Sequence, residues 1–288
     1  MDDIDISALF SPSARKFCVV LGTNEIASAV AARLAKARFA VVMSHDAFPP
    51  TIRRGMAFHD ALYGDRARVD GVDGCRAETL LELAASAGRD KSVALTTMQM
   101  SDLLAIRPID VLIDARMQKH RITPDYRHFV RLAIGLGPNF IVGENCDVAV
   151  ETRPDLNGEL IEAGGTKAPD GAARLLGGVG RERFVYTERA GVWRTPLDVG
   201  MRAFRGYVLG HLDGYPINAP MDGVLRGVAR DGTWMPAGIK LLEVDSRGRR
   251  AQWTGVDARG RASADAGFRA VKARVAVKRG VARQTVAC

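Results

Sequence analysis

The sequence predicts an α/β fold in which a Rossmann-like, mostly parallel sheet is followed by a β-rich part. The first half alternates short apolar runs with segments of helical periodicity, as expected of a parallel sheet with crossover helices. After Glu151 glycine becomes frequent, helical periodicity disappears, and short strands alternate with turns. We therefore predict a Rossmann-like α/β domain over residues 1–152. A β-rich domain with lipoyl-like half-repeats and a basic C-terminal tail is predicted over residues 153–288.

A strand, a helix and a second strand open the predicted sheet. Phe17–Leu21 is a fully apolar run, which is typical of a buried parallel strand. From Asn24 to Arg38 apolar residues recur at helical spacing, and basic residues lie where they complement a helix C-terminus. Ala40–Met43 is the next predicted strand, so the three elements form a βαβ unit of about 30 residues, the usual size of that motif.

Further elements extend the sheet beyond a proline-rich loop. The loop Phe48–Arg54 is too polar and too rich in proline to form regular structure. Glu78–Ala87 is predicted as a helix. The remaining predicted strands are short apolar runs: Val93–Leu95, Val111–Asp114, Leu132–Leu136 and Val148–Val150.

The β-rich part carries a weak internal repeat. Thr195–Asp198 (Thr-Pro-Leu-Asp) is matched by Ala219–Asp222 (Ala-Pro-Met-Asp), and the apolar segments Tyr207–Leu212 and Gly238–Val244 follow them. Two such units facing each other would form a small sandwich or barrel, as in lipoyl- and biotinyl-type domains (barrel-sandwich hybrids). Those domains carry their cofactor on a hairpin lysine, whereas Lys240, the one lysine between residues 195 and 244, lies on a predicted strand. We therefore predict a lipoyl-like scaffold without the carrier function.

Composition limits the class of the protein. Of 288 residues, 47% are hydrophobic and 26% charged, which is typical of a globular chain, and no window reaches the roughly 18 apolar residues of a membrane span. The net charge of +8 comes from arginines with few aromatics near the densest runs, which favours a solvated surface over nucleic-acid binding. An acidic N-terminus and scattered cysteines predict a cytoplasmic protein without a zinc site. The cysteines are Cys18, Cys75, Cys146 and Cys288.

The turn after the first strand occupies the position of a dinucleotide-binding fingerprint, G-x-G-x-x-G. Gly22 keeps the first glycine, whereas Asn24 replaces the second and Ala27 the third. The side chain of Asn24 narrows the space for a phosphate, and Glu25 opposes an anionic ligand. Asp46, just after the second strand, is the candidate partner of ribose hydroxyls. A helix-capping turn and a loop-capping aspartate, neither binding a ligand, are the alternatives.

Three loops at the expected carboxyl edge of the sheet supply the other candidate cofactor contacts. An arginine pair following two prolines suits charge-assisted bonds to phosphate or carboxylate, with plain solubility as the alternative. An arginine just past a buried strand lies where open α/β sheets bind ligands, or forms an internal salt bridge. A glycine pair brings backbone amides to a ligand, or forms a simple turn. The candidates are Thr51, Arg53 and Arg54 in the first loop, Asp114 and Arg116 in the second, and Gly135 and Gly137 in the third.

No catalytic residue stands out in the sequence. The five histidines share no metal-ligand spacing, and neither a G-x-S-x-G elbow nor a Tyr-x-x-x-Lys arrangement is present. Cys146, beside Asp147, has no identifiable base, so an inert cysteine is favoured over a nucleophile. We predict no metal site, and the catalytic group stays unassigned. The histidines are His45, His59, His120, His128 and His211.

Six stretches in a fixed order carry a family resemblance. Their succession of Ile-Arg-Arg, Asp-Ala-Arg-Met and Gly-Leu-Gly-Pro over most of the chain is much more specific than any one piece. The stretches are Val19–Leu34, Pro49–Phe58, Asp110–Met117, Ala133–Phe140, Asp147–Thr152 and Ala219–Gly227. Together they resemble the YqeB-type accessory proteins of selenium-dependent molybdenum hydroxylases, which are related in role to the XdhC/CoxF maturation factors.

The resemblance implies a Rossmann-like domain joined to a lipoyl-like domain. It also implies a role in preparing or inserting a molybdopterin-type cofactor for a xanthine dehydrogenase-like hydroxylase, or in another pterin-linked pathway. Arg53, Arg54 and Arg116 would be the anion contacts, and the expected partners are the client enzyme and a second copy of the chain. Two alternatives stay open: an NAD(P)-dependent Rossmann oxidoreductase, and a non-catalytic interaction protein with a degenerate nucleotide site.

Overall fold

The computed structural model describes residues 7–11, 14–118, 122–169 and 171–284. His120, Cys288 and the last residues of the predicted basic tail lie outside this range, as does most of the acidic N-terminus. Five α-helices lie within the described residues: α1 (Ser7–Phe10), α2 (Glu25–Lys36), α3 (Leu80–Gly88), α4 (Met100–Ile106) and α5 (Ala258–Gln284).

A large, mostly parallel sheet occupies the first half of the chain. Its order among the described strands is β3-β4-β5-β2-β1-β6-β7-β8-β9, and only the outermost pairs, β3–β4 and β8–β9, are antiparallel. The predicted α/β class and each strand predicted in this half are therefore confirmed. The strands are β1 (Phe17–Leu21), β2 (Ala40–Ser44), β3 (Ala67–Val69), β4 (Val72–Arg76), β5 (Ser92–Thr96), β6 (Val111–Asp114), β7 (Ala133–Leu136), β8 (Val148–Val150) and β9 (Leu160–Ile161).

The centre of the sheet is β1, which is buried along its whole length. It pairs in parallel with β2 on one side and with β6 on the other. The chain leaves β1 through α2 toward β2 and returns later to β6, so its direction of travel across the sheet reverses between β1 and β6. In open α/β sheets ligands bind outside the carboxyl ends of the strands at such a reversal.

The second half of the chain contains two four-stranded antiparallel sheets within the described residues, in the orders β10-β17-β15-β12 and β14-β13-β11-β16. The two sheets have equivalent strand orders. Each of β10 to β13 occupies in one sheet the position that the strand four numbers later occupies in the other sheet. Together they enclose a separate core around the fully buried Trp193. The strands are β10 (Phe184–Tyr186), β11 (Gly191–Arg194), β12 (Arg202–Ala203), β13 (Val208–Leu212), β14 (Tyr215–Asn218), β15 (Gly223–Val228), β16 (Trp234–Met235) and β17 (Lys240–Asp245).

This repeat has a different register from the one predicted. Strands β11, β12 and β13 each begin 32 positions before β15, β16 and β17, as 191 and 223, 202 and 234, and 208 and 240 show. The repeat therefore aligns Ala219–Asp222 with residues 187–190, not with Thr195–Asp198. The predicted match of Tyr207–Leu212 with Gly238–Val244 agrees with it.

Helix α5 returns to the first half of the chain and packs against α2. Alanine and valine side chains of α5 join the core that covers one face of the parallel sheet. Arg33 of α2 donates to Asp265 of α5 at 3.0 Å, and its guanidinium lies 3.9 Å from the centroid of the Phe268 ring. The prediction that helical periodicity disappears after Glu151 is thus wrong, because most of the predicted basic tail is this helix. Among the described residues, none of the helices combines the length and the hydropathy that spanning a membrane requires.

Candidate functional site

The predicted glycine turn lies at the reversal point between β1 and β6. Asn24 is the N-cap of α2: its side-chain oxygen accepts hydrogen bonds from the amides of Ile26 and Ala27, at 3.0 Å each. Its Nδ2 donates to the carbonyl of Ala115, just past β6, at 2.7 Å. Gly22 has a φ of +97°, and a Cβ there would lie 3.1 Å from Cα of Arg116. The turn is closed against the β6 loop, and two amides that would face a phosphate are already bonded.

Asp46, Asp114 and Arg116 meet at this carboxyl edge. Arg116 binds Asp114 in a bidentate manner, with Nε–Oδ1 and Nη2–Oδ2 distances of 3.0 and 2.6 Å. Burial lowers the pKa of Arg116, but the bonds to Asp114 outweigh it and hold that pKa above its ordinary value. Asp46 accepts from Gln118 at 2.6 Å and lies 3.9 Å from Nη1 of Arg116. These candidates therefore form one polar cluster, in which Arg116 makes the internal salt bridge with Asp114 that was given as the alternative to ligand binding.

Arg53 connects the parallel sheet with the β-rich part. Its Nη1 donates to Glu25, the first residue of α2, at 2.7 Å, and its Nε donates to Glu243 of β17 at 2.7 Å. Burial lowers the pKa of Arg53, but the two carboxylates outweigh it and the pKa is raised overall. Arg53 is thus a fixed cation held between two carboxylates.

Glu243 is the centre of a buried group of charges that sequence reasoning did not find. Its side chain is fully buried, and it also accepts from Nε of Arg183 at 2.9 Å. Burial raises the pKa of Glu243, but the neighbouring arginines, with Arg53 foremost, outweigh burial and lower it. Arg226 lies 3.7 Å from Glu243 and binds Asp257, just before α5, at 2.8 Å. We call these residues, with Arg259, the junction cluster: Glu25, Arg53, Arg183, Arg226, Glu243, Asp257 and Arg259.

Arg54 is a second link between the two halves. Its Nε donates to the carbonyl of Val228 in β15 at 3.0 Å, and its two terminal nitrogens bind Asp60 and Asp198 at 2.6 and 2.5 Å. Asp198 is half-exposed, whereas Arg54 is buried. Thr51, the remaining candidate of this loop, is buried too. The proline-rich loop therefore packs between the parallel sheet and the β-rich part.

The glycines of the third predicted loop have packing roles. Gly135 lies within β7, not after it, and a Cβ there would lie 2.1 Å from ring carbons of Phe140. Gly137 has a φ of +101°, and its Cβ would lie 2.8 Å from the sulfur of Met117. The amide of Gly137 donates to the carbonyl of Val150 at 3.2 Å. The close approach of side chains, not of a ligand, explains these glycines here.

A pair of histidines also lies at the carboxyl edge. His59 and His45 both form hydrogen bonds with the hydroxyl of Thr23, at 2.9 and 3.3 Å, and their ring centroids are 5.2 Å apart. Burial, followed by the charges of His45 and Arg54, lowers the pKa of His59 to about 3. Burial also lowers the pKa of His45. No spacing in the sequence indicates this pair, since the chain from β2 to the 3₁₀ turn at His59–Tyr63 crosses the irregular proline-rich loop.

The described residues contain no constellation for nucleophilic or metal chemistry. Burial, with the charge of Asp147, raises the pKa of Cys146 to about 12, so its thiol stays protonated at neutral pH. No group of three or more histidine, cysteine or carboxylate side chains in this part of the chain could hold a metal ion. Arginine–carboxylate contacts are thus the dominant polar chemistry of the site.

Comparison with known proteins gives one sequence relative. The uncharacterized protein YqeB of Escherichia coli (strain K12) is 29% identical over 252 residues. The match covers 87% of this chain but 46% of that protein, so the chain spans about half the length of the curated relative it matches. No protein-family model matches the chain.

Solved structures show only a distant likeness. An aspartoacylase family protein from Mesorhizobium loti is 10% identical, with 80% of this chain and 85% of that one covered and a TM-score of 0.26. The product-bound ectoine utilization protein EutE (DoeB) from Ruegeria pomeroyi is 13% identical, with 81% and 86% covered and a TM-score of 0.26. A likeness at this level carries no argument about this chain.

Proposed function

The chain is a YqeB-type protein, and from this premise we propose that it is an accessory protein that recognises an anionic cofactor. The cofactor is a nucleotide or a molybdopterin-type pterin, and the client is a molybdopterin-dependent, xanthine dehydrogenase-like hydroxylase. The resemblance of six ordered motifs to accessory proteins of molybdenum hydroxylases supports this role. Because the chain spans about half of its curated relative, the proposal concerns the part of the task that these residues carry.

Two features of the architecture support the finer description of the fold as Rossmann-like followed by lipoyl-like. The sheet reverses its direction of travel between β1 and β6, as in dinucleotide-binding folds. The β-rich part has the four-strand repeat expected of two lipoyl-like halves. The tip of the β13–β14 hairpin carries Asp213 and Gly214, and Lys240 lies in β17 with its Nζ 4.1 Å from the Phe184 ring centroid. These positions favour a scaffold without the carrier function.

The observation that carries the proposal is a set of three arginines: Arg116 lies at the carboxyl edge of the sheet, and Arg53 and Arg54 lie between the sheet and the β-rich part. Arg53, Arg54 and Arg116 present fixed positive charge there, in a fold whose described residues hold no nucleophile–base pair. Two of their carboxylate partners, Glu25 and Asp198, are partly exposed, with 18% and 56% of their side-chain surfaces accessible. A phosphate group on a ligand could replace these carboxylates, since phosphate accepts the same bidentate bonds from arginine. We propose a cytoplasmic location, which the three described cysteines, all free, support.

The test measures activation of the client hydroxylase and cofactor retention together. The protein with Arg53→Lys and Arg54→Lys keeps both charges but loses the bidentate geometry. We expect it to fold, to retain less pterin or nucleotide by native mass spectrometry, and to activate a co-expressed hydroxylase at least tenfold less. The matched control is Arg249→Lys with Arg250→Lys, an adjacent pair on the exposed 3₁₀ turn at Gly248–Arg250. Unchanged client activation and unchanged retention in the folded Arg53/Arg54 variant would refute the proposal.

A further inference from the structure

A cavity of about 320 Å³ lies in the β-rich part, where edge strands of its two sheets come together. Its lining includes Val185 of β10 and Ile217 of β14, the first strands in the two sheet orders. These two residues are equivalent in the repeat, because they pair with Leu242 and Gly210, which are 32 positions apart. Small-molecule sites have this size, an apolar lining and a few polar groups that fix the orientation of the ligand.

Two tyrosines supply flat walls beside this apolar lining. Tyr186 is the last residue of β10, and Tyr215, the first residue of β14, is 54% exposed. The guanidinium of Arg181 lies 4.3 Å from the ring centroid of Tyr186, and that of Arg189 lies 3.8 Å from the ring centroid of Tyr215. These stacked pairs place positive charge at the rim of the cavity, and aromatic and guanidinium surfaces of this kind stack well on nucleobases.

Glu188 brings a carboxylate without an internal partner to the same rim. It is exposed in the turn between β10 and β11, and its side chain has no hydrogen-bond or ion-pair partner among the described residues. The repeat does not require charges at this turn, since Pro220 and Met221 occupy the positions equivalent to Glu188 and Arg189. A free carboxylate accepts two parallel hydrogen bonds when a planar group presents two neighbouring donors, as a guanidinium does.

Together these groups define the ligand by its chemistry. The tyrosines favour a planar ring, the arginines favour a negative charge, and Glu188 favours adjacent donors at the edge of the ring. Guanine is the nucleobase that presents a ring N–H beside an amino group at its Watson–Crick edge, whereas adenine presents an amino group beside an acceptor. A pterin ring has the same pair of amino and N–H groups as guanine.

We propose that this cavity binds a guanine-type ring that carries an anionic group. The ring lies against the tyrosines, its N–H and amino groups donate to Glu188, and its anionic group contacts Arg189. Guanine nucleotides and pterins share this chemistry. The cavity lining includes none of Arg53, Arg54 and Arg116, so this inference goes beyond the proposed function and does not require it.

The full chain is titrated with guanosine monophosphate by isothermal calorimetry. We expect saturable binding with a Kd at least tenfold lower than that of adenosine monophosphate, which lacks the donor pair. Glu188→Gln replaces one acceptor oxygen with a donor and should remove this preference. The matched control, Glu144→Gln, makes the same change at an exposed position before β8 and should leave the preference intact. A parallel titration with 6-carboxypterin identifies the source of the ring, since the compound with the lower Kd is the one that the cavity fits.

Two further measurements separate this cavity from the other candidate site and from a loss of folding. The preference for guanosine monophosphate should persist in the protein with Arg53→Lys and Arg54→Lys, because those arginines lie outside the cavity lining. Tyr215→Phe should keep the affinity and Tyr215→Ala should weaken it at least fivefold, with circular dichroism showing that both variants fold.

The proposal is overturned if neither guanosine monophosphate nor 6-carboxypterin binds saturably, if the Kd values of guanosine and adenosine monophosphate agree, or if Glu188→Gln keeps the preference. Loss of the preference in the protein with Arg53→Lys and Arg54→Lys would also overturn it, because the nucleotide would then bind at the other candidate site.

Discussion

Glu243 offers the sharpest test of how the two halves are held together. Replacing it with glutamine keeps the size of the side chain but removes the only carboxylate that binds both Arg53 and Arg183 among the described residues. The change leaves buried guanidinium groups close together without their shared counter-charge. Breaking a buried ion pair by removing one partner costs about 3–5 kcal/mol, because a charge is left uncompensated. Since domains are stable by roughly 5–15 kcal/mol, we expect Glu243→Gln to remove about a fifth or more of the total.

The assay is equilibrium unfolding in urea, followed by circular dichroism and by tryptophan fluorescence, to which the buried Trp193 contributes. Glu188→Gln, at an exposed position of the same β-rich part, is the matched control and should cost less than about 0.5 kcal/mol. A double-mutant cycle with Arg53→Met isolates the coupling, which should exceed about 1 kcal/mol. A cost of Glu243→Gln below about 1 kcal/mol, or additive effects of the two substitutions, would refute the reasoning.

Two further substitutions test the histidine pair and the glycine of β7. His59 has a pKa of about 3 against an ordinary 6.5, so the unfolded chain takes up a proton that the folded chain does not. The free energy of unfolding should therefore fall as pH drops from 6.5 toward 3, by about 2 kcal/mol at pH 5. His59→Gln should remove this pH dependence when urea unfolding is measured at pH 7.5, 6 and 5. An unchanged pH dependence in the variant would contradict the assignment. Gly135→Ala places a Cβ 2.1 Å from the Phe140 ring and should cost about 1–3 kcal/mol, with part of the loss recovered by Phe140→Leu. An unaltered melting temperature for Gly135→Ala would show that the ring moves freely.

The sequence predicts the first half of the fold well where each element carries its own apolar pattern. β1, α2 and β2 are buried along entire faces, so their periodicity is visible without tertiary information. β4 was not predicted, because Val72 is its one buried side chain and the strand is stabilised by pairing with β5. Sheet position, not side-chain pattern, decides the structure there.

Helix α5 was missed for a different reason. Its arginines dominate the composition, whereas the residues on its buried face, toward α2, are small: Ala264, Gly267 and Val271 recur at helical spacing. Ala264 and Val271 are buried in the same core as Val30 of α2. Small residues let two helices approach closely, but they produce only a weak apolar periodicity in the sequence. A packed helix of this composition therefore resembles a solvent-exposed basic tail.

The sequence also predicts the charged groups of the candidate site only in part. The sequence indicates which loops carry arginine, because these loops follow strands whose carboxyl ends share an edge. It does not indicate the partners: Glu243 is 190 positions from Arg53, and Asp198 is 144 from Arg54. In the sequence, an arginine pair is equally consistent with a ligand site and with internal ion pairs. Its carboxylate partners are far away along the chain, so they are known only once the fold brings their strands together.

Arg53 belongs both to the place where a ligand phosphate would bind and to the connection between the two halves of the chain. The N-terminus of α2 is where a dinucleotide-binding fold holds its phosphates, and here Glu25 supplies a negative charge at that place and binds Arg53. The same guanidinium binds Glu243 in the β-rich part. A ligand phosphate that displaces Glu25 would therefore contact Arg53 without breaking its bond to β17, whereas one that competes for both bonds would loosen the connection between the halves. Under the proposed function, ligand recognition and the relative fixing of the two halves thus depend on one side chain, so a degenerate glycine turn does not by itself decide whether the chain binds an anion.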